Sequence, residues 1–271
     1  MSFPDSAAPE AAADSAGEPI DGDDHRVKTI GLIGGMSWES TAIYYRRLNE
    51  LARERLGGLH SAKLLLHSFD FAEIEALQAA GDWVGAGERM ADAAQALERG
   101  GAEALVICTN TMHKLAPEVR AASALPLLHI ADATAGAMRE AGVRRPLLLA
   151  TRYTMEQDFY TGRLAERGFD VVVPDEPGRT AVHRIIYEEL CVGRVEPASR
   201  RRYLEVVDAH RARDGVDAVI FGCTEVGMLL SADDLELAAF DTTELHARAA
   251  MDFALSGEPP GTDRGVPISG R

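Results

Sequence analysis

The chain has 271 residues, 46% of them hydrophobic and 26% charged, with a formal net charge of −15. This is ordinary globular composition with enough apolar material for a sizeable core, and its acidic balance excludes a general phosphate-backbone binder, so no nucleic-acid partner is expected. Cys108, Cys191 and Cys223 form no CxxC pair. That argues against a disulfide framework or a structural zinc, and for a reducing, cytoplasmic setting.

The first 26 residues hold seven acids against Arg26, with no basic n-region and no apolar run. Residues 1–27 therefore read as a disordered acidic tail and not as a leader. Apolar runs at 29–33, 63–69, 103–107, 126–129, 146–150, 169–173, 217–221 and near Phe240 are candidate strands, separated by helical stretches. Continuous Leu/Val/Ile runs suit strands buried on both faces, so the fold class is α/β with parallel sheets. From Gly257 onward, prolines and glycines break any element, which makes 257–271 a flexible tail. No run approaches the roughly 18 residues of a membrane span, so no membrane partner is expected.

The chain repeats itself. Gly101-Ala-Glu-Ala-Leu-Val-Ile-Cys-Thr109 aligns with Gly215-Val-Asp-Ala-Val-Ile-Phe-Gly-Cys223, placing Thr109 on Cys223 at an offset of 114. The run ending at Leu32-Ile33 with the Tyr44 helix matches Leu148-Leu149 with the Tyr160 helix at an offset of 116. Two related α/β halves follow: residues 28–130 joined by a returning C-terminal helix at 243–256, and residues 131–240.

Ligands of parallel α/β sheets bind beyond the carboxyl ends of the strands. Four segments fall there, beginning at Gly34, Cys108, Thr151 and Gly222, and they predict one site between the halves. A dinucleotide loop is disfavoured, because G-x-G-x-x-G read from Gly31 needs glycine at Ile33 and Met36. The double glycine Gly34-Gly35 suggests a close backbone approach to a small ligand, with Ser37 capping the next helix. Cys223 falls at a strand-to-helix junction, where amides and macrodipole are expected to lower its pKa toward neutrality and make it a base or nucleophile. Cys108 points to the opposite strand face from Thr109 and is expected in the core, as is Cys191 at a helix end. His113 is expected to orient Thr109 or Asn110 and not to bind a metal, and His129 and Asp132 to mark a polar border between the halves.

Together, Ile30-Gly-Leu-Ile-Gly-Gly-Met-Ser-Trp-Glu-Ser40, Cys108-Thr-Asn-Thr-Met-His113, Thr151-Arg-Tyr-Thr-Met-Glu-Gln-Asp158 and Phe221-Gly-Cys-Thr-Glu225 resemble the cofactor-independent aspartate/glutamate racemases over roughly residues 28–255. The resemblance is to the branch specific for L-aspartate and L-glutamate or broad in amino-acid specificity. It implies two pseudo-symmetric Rossmann-like domains with the amino acid between them, often a homodimer, and neither pyridoxal phosphate nor metal. It further implies Cys223 as principal acid/base with Thr109 opposite, substrate contacts from Met36, Gln78, Asn110, Thr111, Thr151 and Thr224, and supporting roles for His113 and Glu225. The family's first-half thiol is replaced here by Thr109, whose hydroxyl is too weak an acid to yield a base at neutral pH but can hold a water or relay a proton. A single-thiol decarboxylase or isomerase of a small dicarboxylic acid, and an amino-acid sensor with an inert thiol, are the competing readings.

Overall fold

The continuous apolar runs become the inner strands of two parallel sheets in the computed structural model, which describes residues 27–258. Of the tails expected at 1–27 and 257–271, residues 1–26 and 259–271 lie outside the described residues. The first sheet holds β1 (Ile30–Gly34), β2 (Leu64–Ser68), β3 (Ala104–Ile107) and β4 (Leu127–Leu128) in the order β2-β1-β3-β4. The second holds β5 (Pro146–Ala150), β6 (Ala218–Gly222) and β7 (Ala238–Asp241), with β6 central. Strands β1, β3, β5 and β6 are buried along their whole length, whereas the edge strands β2 and β7 are partly exposed. Full burial is what helices on both sheet faces impose.

The run at 169–173 does not become a strand. It makes one parallel bridge, Val172 against Leu147, in which Leu148 N–H donates to Val172 O at 2.8 Å and Val172 N–H to Pro146 O at 2.9 Å. Pro174 follows without an N–H to extend the ladder, and Asp175 caps the next helix at Gly178 N–H.

The connections are helical: α1 (Trp38–Leu56), α2 (Phe71–Ala80), α3 (Trp83–Arg99), α4 (Ala116–Ala122) and α5 (Ile130–Glu140), then α6 (Arg152–Glu156), α7 (Asp158–Ala165), α8 (Glu176–Glu188), α9 (Pro197–Asp214), α10 (Val226–Leu229) and α11 (Thr242–Ser256). Side chains of Ser37, Asp70, Asp82, Thr151 and Asp241 accept from early N–H groups of the helices they precede, as N-caps do.

Ala104 and Ala218 open β3 and β6, 114 residues apart, and Ile30 and Pro146 open β1 and β5, 116 apart. These are the two offsets of the sequence repeat. Its helical markers, Tyr44 and Tyr160, are both fully buried. The last helix, α11, packs on α1 and α5, and its Met251 and Phe253 share a core with Leu32 and Leu48. Arg47 of α1 forks onto Glu244 of α11 through Nε at 2.6 Å and Nη2 at 3.0 Å.

The double glycine has another use than the expected approach to a ligand. Gly35 sits at φ 80°, and a Cβ there would lie 2.3 Å from Phe69 O and 2.4 Å from Phe69 N. Its bare backbone thus lets the turn after β1 pass against the end of β2.

Candidate active site

At the carboxyl ends of the strands, both halves contribute to one cavity with about 420 Å³ of empty space, open solvent included. Met36 and Ser37 follow β1, Thr109, Asn110 and Thr111 follow β3, Thr151 follows β5, and Cys223 and Glu225 follow β6. Gln78 of α2 completes the set of expected side chains that the fold brings to this cavity.

Two expected residues stand elsewhere. The Thr224 side chain turns away from the cavity, and its Oγ1 accepts from the Thr243 hydroxyl at 3.2 Å. His113 lies behind the site, where Ile130 N–H donates to its Nε2 at 3.2 Å. That nitrogen is therefore unprotonated, so Nδ1 carries the proton and donates to Thr109 O at 2.8 Å. His113 thus holds the backbone of Thr109. The Thr109 hydroxyl has no hydrogen-bond partner among the described residues.

Glu225 is 3% exposed and forms no ion pair among the described residues. Its Oε1 accepts from the Ser37 and Ser40 hydroxyls, each at 3.0 Å, and its Oε2 accepts from the Cys223 thiol at 2.9 Å. Burial, followed by the nearby Glu225 carboxylate, holds the Cys223 thiol well above its ordinary range. This reverses the expected lowering. The following helix α10 has only four residues, too short for a strong macrodipole, and a carboxylate occupies the position where a cation would be needed. Cys223 rests as a thiol whose proton already points at an acceptor.

Replacing Glu225 by glutamine is expected to move the pH midpoint of Cys223 alkylation by iodoacetamide down by about one unit or more, because a like charge no longer opposes the thiolate. Peptide mass spectrometry across pH would follow the residue itself. An unchanged or higher midpoint would show that the carboxylate does not set the thiol.

Hydroxyls cross between the halves. Thr111 Oγ1 lies 3.0 Å from Thr151 Oγ1 and 3.4 Å from Thr154 Oγ1. The Thr242 hydroxyl donates to Phe221 O at 2.9 Å, so it must accept from Asn110 Nδ2 at 3.0 Å. This fixes the amide and leaves Asn110 Oδ1 buried without a partner.

Sequence reasoning missed several lining residues. Ser37 does cap α1, accepting from Ser40 N–H at 3.3 Å, but its contact with Glu225, 188 positions away, has no local signal. Cys191, expected in the core, is half-buried and lines the cavity, with its thiol pushed up to about 12 by burial and by Glu225. Cys108 is buried in the core, as expected. Asp132 joins Arg163 at 2.6 and 2.8 Å and also pairs with Arg167, linking α5 to α7. Among the described residues no group of three or more His, Cys, Asp or Glu is arranged to hold a metal ion, and no helix is long and apolar enough to cross a membrane.

Two parallel-sheet halves with a half-buried thiol at the cavity they share define the class, an α/β fold with one site between its halves. Residues 33–250 match the Asp/Glu/hydantoin racemase family model, and the chain belongs to that family. An Asp/Glu racemase candidate from Yersinia pestis is 54% identical, covering 84% of this chain and 99% of its own at a TM-score of 0.79. An aspartate racemase homologue from Pyrococcus horikoshii is 35% identical over the same shares, with a TM-score of 0.75. The aspartate racemase of Picrophilus torridus is 22% identical, covers 84% of this chain and 94% of its own, and at a TM-score of 0.67 shares the fold.

Proposed function

We propose that the protein is an amino-acid racemase that works without cofactor, with Cys223 exchanging the α-proton on one face and the Thr109 side completing inversion on the other. The observation that carries this reading is the Cys223 thiol bonded to the buried Glu225 carboxylate, at the repeat position of Thr109, inside one cavity. Glu225 can take the thiol proton, so that the thiolate meets Cα–H, and the substrate ammonium supplies the positive charge that favours the thiolate. Asn110 Oδ1 accepts from that ammonium. The Thr111 and Thr151 hydroxyls and the strand-end amides steady the charge that grows on the carboxylate. An undepressed thiol would also suit a sensor, but a sensor has no need of a carboxylate aimed at the sulfur.

Aspartate and glutamate, after which its relatives are named, are the first compounds to try. The chain reads as two domains, 28–130 with 243–256 and 131–240, with substrate bound between them. The unpaired thiols suit a cytoplasmic setting. A homodimer is supported by Trp38, Tyr45 and Leu66, which stand exposed around one hollow on α1 and β2.

Isotope exchange tests the division of labour. Enantiomers have equal free energy, so kcat/KM must be equal in both directions and Thr109 cannot make the enzyme one-way. Washout can still differ. In D₂O the enantiomer facing Cys223, expected to be the L form, should gain α-deuterium faster than it inverts, and its mirror image should show little exchange without inversion. Thr109→Cys should even the two. Equal washout by the unmodified protein would refute the single-thiol mechanism, and no washout from any amino acid would favour a decarboxylase or a sensor.

A further inference from the structure

Along α8 and the short turn Leu190–Val192 that follows it, His183, Tyr187 and Cys191 recur every four residues, the spacing that keeps side chains on one helix face. Tyr187 and Cys191 line the cavity, and His183 braces the Tyr187 ring. The Arg152 N–H donates to His183 Nδ1 at 3.3 Å, and the His183 and Tyr187 rings pack with their centroids 4.7 Å apart. The Tyr187 hydroxyl has no hydrogen-bond partner among the described residues. It is not sealed in the protein, as the partnerless hydroxyl of Tyr160 is. Burial, and then the nearby Cys223, push its pKa up, so the phenol keeps its proton and stands as a donor beside the proposed reaction centre.

We infer that the Tyr187 hydroxyl donates to the side-chain carboxylate of a dicarboxylic amino acid, an inference that rests on the racemase reading. The groups proposed for the α-centre all come from the strand ends, whereas Tyr187 stands on the wall that α8 and α2 build with Ile186, Phe71 and Gln78. Among the described residues no lysine or arginine lines the cavity, so neutral donors must hold a second carboxylate. Phe71 and Ile186 have none to give. Gln78 Nε2 spends one N–H on Met112 Sδ at 2.9 Å and keeps the other, and the Cys191 thiol is a weak donor. The phenol is the strong donor of this wall that nothing else engages, and a bond from O–H to a carboxylate is roughly twice as strong as one between neutral groups. Because His183 braces the ring before substrate arrives, little side-chain freedom is lost on binding.

Tyr187→Phe removes the hydroxyl and keeps the ring. In the full-length protein it is expected to raise KM for L-aspartate and L-glutamate by about tenfold or more, the worth of a hydrogen bond to a charged group, with kcat within about threefold of wild type. When L-aspartate and L-alanine compete in one D₂O reaction, the ratio of their kcat/KM values should fall by the same factor, because a methyl group accepts no hydrogen bond. The melting temperature without ligand should not fall, since no internal hydrogen bond is lost. A KM within about threefold of wild type, an equal loss for aspartate and alanine, or a joint fall in kcat and melting temperature would overturn the inference and leave the racemase reading standing. Absence of α-deuterium exchange from every amino acid with the unmodified protein would overturn both, and is recognisable because it needs no variant.

Discussion

Cys223→Ser is expected to lower kcat between about a hundredfold and ten-thousandfold, the range supplied by a positioned acid or base, while the protein stays folded. Serine keeps the shape and the hydrogen bond to Glu225, but its hydroxyl is too weak an acid to cycle a proton. Thr109 cannot substitute, since it carries the same kind of hydroxyl. Stability should change little, because Cys223 lies at the rim of its core cluster and is not among that cluster's buried members. Racemisation rates beside melting curves would check both halves of the expectation. More than about a tenth of wild-type activity would remove Cys223 from the centre of the mechanism, since a positioned general acid or base typically contributes a hundredfold or more.

Acid is expected to destabilise the fold well before ordinary carboxylates titrate. His113, His129 and His246 lie together behind the site, with ring centroids 4.6 Å apart for the first pair and 5.5 Å for His113 and His246. Each makes hydrogen bonds as a neutral ring: His246 Nδ1 accepts from the buried Tyr44 hydroxyl at 2.8 Å and Nε2–H donates to Leu128 O at 2.7 Å, while His129 Nδ1 accepts from Ala131 N–H at 3.2 Å. Burial first of all lowers His246 to about 4 and His129 to about 2, the latter also through Arg163 and Arg120. Burial, with its two histidine neighbours, holds His113 well below the ordinary range.

A depressed folded pKa means that the unfolded chain binds more protons between that value and about 6.5, so stability is whole above pH 6.5 and falls as pH drops toward 4. At about 1.4 kcal/mol per proton and pH unit, the three rings together remove roughly 5 kcal/mol between pH 7 and pH 5. That rivals the whole stability of many domains. Urea unfolding at the two pH values measures it directly. A loss under about 1 kcal/mol, less than one such ring would contribute, would mean that the histidines accept protons without unfolding.

Local pattern accounts for what was legible in the residues. Apolar runs without alternation announce strands covered on both faces, and β1, β3, β5 and β6 are so buried. The repeat offsets recur in the strand starts because each half builds the same unit around a central strand. Ser37 and Asp175 cap helices through contacts within three residues, and such contacts are written in neighbouring letters.

Tertiary structure decided the chemistry of those positions. Whether a thiol is acidic depends on the solvent and the charges around it, and burial, followed by Glu225, whose hydroxyl partners come from 188 and 185 positions away, reversed the expectation for Cys223. Thr224 and Cys191 exchanged roles for a similar reason: the path of the chain after β6 turned one side chain toward Thr243, and the end of α8 carried the other to the cavity. The cavity wall is a further case, with α2 and α8 brought face to face from different halves. No spacing along the chain encodes that meeting, because it arises only when the sheets pack and long-range contacts choose which side chains share one space.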